Sequence, residues 1–160
     1  MNQPSEIAKI ARESFLTQEK PALVGQSKKN LVIGIPNEQS NFEKRVPLKP
    51  ASVANLIGYG HEVVVESGAG SKAFFSDDQY SEAGAKISYN SKEAFEADLV
   101  IKVEPPTLKE IEYLQKGSTL ISTFQTAQQN AAYLEAIGKK KIIAIGYEFI
   151  RDKVGGLPLM

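Results

Sequence analysis

The sequence predicts an α/β domain built on a mostly parallel, open sheet flanked by helices, with a separate helix at its N-terminus. Three observations predict it. Short apolar runs rich in β-branched residues recur along the chain,. Segments with helix start and stop signals lie between them,. The strands follow one another at roughly 20 to 30 residues, the rhythm of right-handed βαβ units.

Each element has its own signals. Ile7, Ala8, Ile10, Ala11, Phe15 and Leu16 recur at helical spacing after Pro4-Ser5, so residues 1–30 read as an amphipathic helix and a linker around Pro21 and Gly25,. The main domain is expected over residues 31–160. Leu31 to Ile35 is a buried strand closed by Pro36, and residues 50–59 are a helix opened by Pro50 and ended near Gly60,. Glu62 to Glu66 is a second strand. Ser76 caps a helix that Gly84 stops, and Lys86 to Ser88 is a third, weak strand,. Ser91 caps a short helix, and Asp98 to Val103 is a fourth strand ended by Pro105-Pro106. Thr107 caps a helix to Leu114, and Thr119 to Ser122 is a fifth strand,. A helix is predicted from about Ala127 to Ile137, ended by Gly138, then a sixth strand from Ile142 to Ile145,. Asp152 to Gly156 reads as a turn,.

Composition narrows the function classes. Lys plus Arg equals Asp plus Glu at 19 each, so nothing favours nucleic acid or an anionic membrane surface,. The run Lys139-Lys140-Lys141 sits where a helix ends, a place that favours cations,. With no cysteine there is no disulfide, thiolate metal site or cysteine nucleophile, which suits a reducing compartment,. No run approaches the ~18 apolar residues that span a bilayer. A cytoplasmic location is expected.

Open α/β sheets bind ligands outside the carboxyl ends of their strands, so the segments after each strand carry the site. After the first strand, Arg45 offers a planar fork suited to a carboxylate, or a partner for Glu38 or Glu43,. Gly68-Ala69-Gly70 lacks the third glycine of a dinucleotide loop, because Ala73 stands there, and reads as a plain turn,. Lys102 and Glu104 share a face by strand period, and Lys102 points either into the cleft or away from it,. The segment Ser122 to Asn130 sets uncharged donors and acceptors at a helix start, where Thr126 is a candidate cap,. His61 lies at the amino end of its strand, away from the cleft, and reads as structural. No cluster has metal-ligand spacing, and no metal is expected.

Several of these segments together resemble one family. Ile33-Gly34-Ile35-Pro36-Asn37-Glu38, Arg45-Val46, Gly60-His61-Glu62-Val63, Glu66 to Gly70, Ala83-Gly84-Ala85, Asp98 to Val103, Ala144 to Glu148 and Leu157-Pro158-Leu159 are similar to the N-terminal domain of alanine dehydrogenases and nicotinamide nucleotide transhydrogenase alpha chains. The resemblance implies a flavodoxin- or Rossmann-like sheet and an oxidoreductase that moves a hydride between a nicotinamide cofactor and a small 2-oxo or 2-amino acid. It implies that NAD(H) or NADP(H) is bound mainly by a C-terminal Rossmann domain absent from this chain, so that the chain alone would not turn over. A small carboxylate substrate, that cofactor domain and further copies of the same chain are the implied partners. Arg45 matches the family's carboxylate-gripping arginine, and Lys102 its first strand-end lysine, while Glu104 stands at the second, substrate-binding lysine. Gln125 stands at the catalytic histidine of alanine dehydrogenases and cannot exchange a proton near neutral pH,. Gln128 aligns with a glutamine that contacts the nicotinamide in transhydrogenases. Arg45, Lys102 and Gln125 are thus the expected substrate-binding residues and Gln128 the cofactor contact. A transhydrogenase-like domain and a non-catalytic binding or regulatory module are the alternatives.

Overall fold

Burial of apolar strands on both faces, demanded by runs such as Val63-Val64-Val65, requires helices above and below the sheet. The computed structural model, which describes residues 30–157, has that arrangement. The strands are β1 (Val32–Ile35), β2 (Glu62–Glu66), β3 (Lys86–Ser88), β4 (Leu99–Ile101), β5 (Thr119–Ser122) and β6 (Ile143–Gly146). They form one sheet in the order β3-β2-β1-β4-β5-β6, with every pairing parallel. The order reverses between β1 and β4, which is the topological switch point of a doubly wound, Rossmann-like fold. The expected N-terminal helix lies outside the described residues.

Five helices connect the strands: α1 (Pro50–Gly58), α2 (Asp77–Glu82), α3 (Ser91–Phe95), α4 (Leu108–Tyr113) and α5 (Ala131–Lys140). One core holds Ile33, Ile35, Val63 and Val65 with Val53 of α1 and Tyr80 of α2. The other holds Val100 and Leu120 with Phe95 of α3, Ile111 of α4 and Tyr133 of α5. Gly34 is what lets α3 lie against β1: a Cβ at Gly34 would fall 1.7 Å from the Ala94 carbonyl oxygen.

Local chemistry explains where boundaries match the expectation and where they move. Ser76 and Thr107 each form a capping box, with Gln79 and Glu110 reaching back to the cap backbone,. At α3 the cap is Asn90 rather than Ser91, its side chain accepting from the Lys92 N–H. The last helix starts at Ala131, not near Ala127, because Gln125 is left-handed and Gln129 extended, so only a 3-10 turn forms over Thr126–Gln128. Asn130, not Thr126, caps α5 by accepting from the Tyr133 N–H at 3.0 Å. That helix also runs past Gly138 to Lys140 and is closed by Lys141 at φ 52°. Lys140 Nζ donates to the carbonyls of Glu112 and Leu114, which ties this end to α4. Among the described residues, no helix is long and apolar enough to cross a membrane.

Candidate functional site

The switch point between β1 and β4 is plugged rather than open. Glu38, in the loop after β1, accepts from the Val103 N–H at 2.6 Å and the Glu104 N–H at 3.4 Å. Lys102, just past β4, lies 3.4 Å from the Glu38 carboxylate and 3.1 Å from that of Glu110 on α4. Its ammonium also stands 5.7 Å from the centre of the Phe95 ring,. All three charged side chains are buried. Burial holds the Glu38 carboxyl above the usual carboxylate range, against the opposing pull of Lys102 and the two N–H groups,. Lys102, expected to line a cleft, is instead beneath its floor, 2% exposed. The strand period stops mattering there because β4 ends at Ile101, and Lys102 and Glu104 part company.

The open space lies one strand further over. A cleft of about 610 Å³ sits at the carboxyl ends of β4, β5 and β6. It brings together Arg45, Gln125 and Gln128, along with Glu43, Glu104, Tyr147 and Glu148. Arg45 reaches it from the loop after β1, and among the described residues no other cation lines it. The Glu43 carboxylate accepts from Arg45 Nε at 2.9 Å, Nη2 at 2.7 Å and the backbone N–H at 2.8 Å. This pairing leaves the Nη1 side of the fork for a ligand. Hydrogen bonding from Arg45 lowers the Glu43 carboxyl below its ordinary range and, reciprocally, raises the guanidinium.

The floor between β4 and β5 is held by one carbonyl. Val103 O accepts from the Thr123 N–H, the Thr123 hydroxyl and the Tyr147 hydroxyl, the last at 2.7 Å. Burial raises the Tyr147 phenol, so it stays protonated near neutral pH,. Beside it, Glu148 accepts from the Phe124 and Gln125 N–H groups at 2.7 and 3.1 Å. Gln125 itself is left-handed, at φ 45° and ψ 49°, an unusual conformation for a residue with a Cβ. A second cavity of about 380 Å³ adjoins the first through Glu104 and Gln125.

The other singled-out groups lie elsewhere. His61 Nδ1 accepts from the Leu31 N–H at 3.3 Å, stapling the amino ends of β1 and β2. Gly68-Ala69-Gly70 is a closed turn: the Asp77 carboxylate accepts from the Gly68 N–H at 2.8 Å and from the Ser67 hydroxyl at 2.7 Å. An anion there would meet Asp77. Among the described residues, no group of three His, Cys, Asp or Glu side chains is placed to hold a metal ion.

Comparison with known proteins identifies the family and the fold. The family model described as alanine dehydrogenase/PNT, N-terminal domain, matches residues 34–160. The chain belongs to this family. An alanine dehydrogenase of Staphylococcus epidermidis is 39% identical over 128 residues, covering 80% of this chain and 34% of that protein. Alanine dehydrogenase 2 of Staphylococcus aureus matches to the same extent. Among solved structures, an L-alanine dehydrogenase superposes with a TM-score of 0.75 at 35% identity, over 80% of this chain and 35% of that one. A transhydrogenase from Sinorhizobium meliloti does so with a TM-score of 0.69 at 28% identity, over 77% and 37%. The alanine dehydrogenase/PNT domain described here therefore spans about a third of the length of the relatives it matches. Within this domain, Glu38, Glu110, Tyr147 and Glu148 are the site-building residues that spacing did not single out. Glu38 was visible as a possible partner of Arg45 and as the end of a family motif, and Tyr147-Glu148 only as part of a family motif.

Proposed function

We propose that this domain is the substrate-side lobe of a nicotinamide-dependent oxidoreductase that interconverts a small 2-oxo acid and the matching 2-amino acid. On this reading residues 31–160 make up the lobe. The observation that carries the reading is the gathering of Arg45, Gln125 and Gln128 on one strand-end cleft. The free side of the Arg45 fork takes the substrate carboxylate, a planar match that also fixes orientation. The side-chain amides of Gln125 and Gln128 offer both donors and acceptors, which suit a carbonyl, an amine or a carboxamide. Glu104, standing where the family carries a lysine, makes the cleft wall anionic.

The donor set fits only the carboxamide end of a dinucleotide. The glycine turn after β2 already has its Gly68 N–H on Asp77, and the phosphates are assigned on this reading to another lobe of the whole protein. When bound, NAD(H) or NADP(H) supplies or accepts the hydride. The residues of this chain bind and orient the acid beside it. The whole protein, on this reading, is a cytoplasmic homo-oligomer.

Gln125 favours a second reading. Deamination of an amino acid requires a proton to move, and an amide cannot carry it. Hydride transfer between two nicotinamides, as in a transhydrogenase-like protein, has no such need. A third outcome, binding without turnover, would mark a regulatory module. The test uses the full-length protein with NADH, pyruvate and ammonium, together with calorimetry of pyruvate against an Arg45→Ala variant. Turnover with alanine as product supports the first reading, and NADH oxidation by an NADP⁺ analogue alone supports the second. Equal pyruvate affinity in wild type and variant would remove Arg45 from the site.

A further inference from the structure

The sharpest unexplained feature of the cleft is the backbone of Gln125. A residue with a Cβ pays to sit at φ 45°, ψ 49°, and the penalty must be offset by surroundings that over-determine it,. Those surroundings come from the next strand. Gly146 ends β6 opposite Ser122 of β5, and the chain then turns through Tyr147 and Glu148. Tyr147 fastens the β4 end through Val103 O, and Glu148 fastens the β5 end through the Phe124 and Gln125 N–H groups. A single Glu148 oxygen, Oε1, takes both N–H groups, and two convergent backbone donors define the left-handed turn. The other oxygen, Oε2, is buried with no hydrogen-bond partner among the described residues. Gly146 makes the room: a Cβ there would stand 2.9 Å from Glu148 Oε2 and 2.8 Å from the Phe149 ring.

We infer that Glu148 is a positioning residue: its carboxylate clamps the Phe124–Gln125 turn in the left-handed form and thereby presents the Gln125 amide to the cleft, with Gly146 kept bare to admit it. Gln125 lines both cavities, so its backbone setting decides how far its amide reaches across the opening that joins them. Without the clamp the residue relaxes toward negative φ, and its side chain swings with it. Glu148 touches no ligand in this scheme and acts only through Gln125. The role of Gln125 as a ligand contact rests on the proposed function, whereas the clamp itself does not.

Two measurements on the full chain separate these. The first is hydrogen exchange of the Phe124 and Gln125 amides without ligand. In Glu148→Ala their exchange rises by about tenfold or more relative to the amides of the β5 ladder, and Gly146→Ala, which crowds the carboxylate out, does the same. Glu148→Gln keeps an acceptor oxygen and retains most of the protection. Unchanged exchange in both Glu148→Ala and Gly146→Ala overturns the clamp. The second is pyruvate binding by calorimetry. Glu148→Ala weakens it by about tenfold, and the same change made on top of Gln125→Gly adds nothing, because the glycine has neither the conformational penalty nor the amide. An equal loss in both backgrounds overturns the action through Gln125. A wild-type chain that ignores pyruvate sinks the substrate reading, and the exchange data still decide the clamp.

Discussion

The two halves of the sheet follow one winding rule and end differently. On the β1–β2–β3 side the strand ends are closed by the chain's own groups. Asp77 occupies the turn after β2, and Lys72 Nζ donates to the carbonyls of Glu38 and Ser40, pinning the loop after β1. On the β4–β5–β6 side the same kind of ends leave about 610 Å³ open, and β6 exposes Ile143 and Ile145. The difference teaches that the switch point alone does not make a site. The crevice between β1 and β4 is filled here by Glu38, Lys102 and Glu110, and the opening has moved toward the second half.

The plug is the place to break that comparison hardest. Lys102→Met would leave two buried carboxylates facing each other without a cation, and removing one partner of a buried charge pair costs about 3–5 kcal/mol. Urea unfolding should show a loss of that order. The loss should shrink in acid as the Glu38 carboxyl, already raised by burial, takes up a proton,. A loss under about 1 kcal/mol would mean that the plug is hydrated and the switch point is open after all.

Next in size is the helix–strand contact that binds the halves together. Gly34→Ala forces a methyl into the Ala94 carbonyl at 1.7 Å, so α3 must move off β1. A loss of about 3 kcal/mol in chemical unfolding is expected. Gly138→Ala serves as the control, since a Cβ there meets nothing within 4 Å. It should be neutral or slightly stabilising, because a glycine inside a helix carries an entropic cost.

Two buried tyrosines, one per half, sharpen the contrast at smaller amplitude. Burial pushes both Tyr80 and Tyr133 up to about 12. The folded chain holds these protons more tightly than the unfolded one, whose phenols have an ordinary value of 10.0. Stability is therefore complete below that ordinary value and falls as pH rises through it toward about 12,. Absorbance of tyrosinate against pH, with and without urea, checks the sign. The two hydroxyls differ in satisfaction. Tyr80 donates to the Leu48 carbonyl at 2.8 Å, whereas the Tyr133 hydroxyl has no partner among the described residues. Tyr80→Phe should cost about 1 kcal/mol, and Tyr133→Phe should be neutral or stabilising.

How much of this was legible in the sequence follows the same divide. Periodicity, caps and breakers are local, so β2, β5 and the Ser76 and Thr107 caps stand where residue chemistry put them. The start of α5 differs because Thr126 has the chemistry of a cap, while the left-handed Gln125 that prevents it from serving as one is held by Glu148 in the turn after β6, more than twenty residues on. The cleft was legible as strand-end polarity, which names Arg45, Gln125 and Gln128 but cannot say which side chains face it. Lys102 shows the limit. Its position at a strand end suited a ligand, yet Glu38 and Glu110 approach it from separate elements, and only the fold reveals that they bury it.

A small change in stability is expected on the open half, and it separates folding from binding there. Glu43→Gln removes the charge that occupies Arg45 while keeping an acceptor oxygen. Arg45 is 67% exposed, so the pair contributes at most about 1 kcal/mol, with solvent screening much of it,. The sign with pH follows from the lowered Glu43 carboxyl. Whatever stability the pair supplies is present above the ordinary carboxylate value of 4.5 and disappears as pH falls through the depressed one,. Wild type and variant should thus converge in acid unfolding curves. Pyruvate should bind the variant more tightly, by up to about tenfold at low salt, because the guanidinium fork no longer faces an internal carboxylate. In the closed half, by contrast, Asp77→Asn should change stability without touching pyruvate affinity. If Glu43→Gln instead unfolds the chain as readily as Lys102→Met does, Glu43 is part of the scaffold, and the division between a closed half and an open one fails at the residue that should mark its edge.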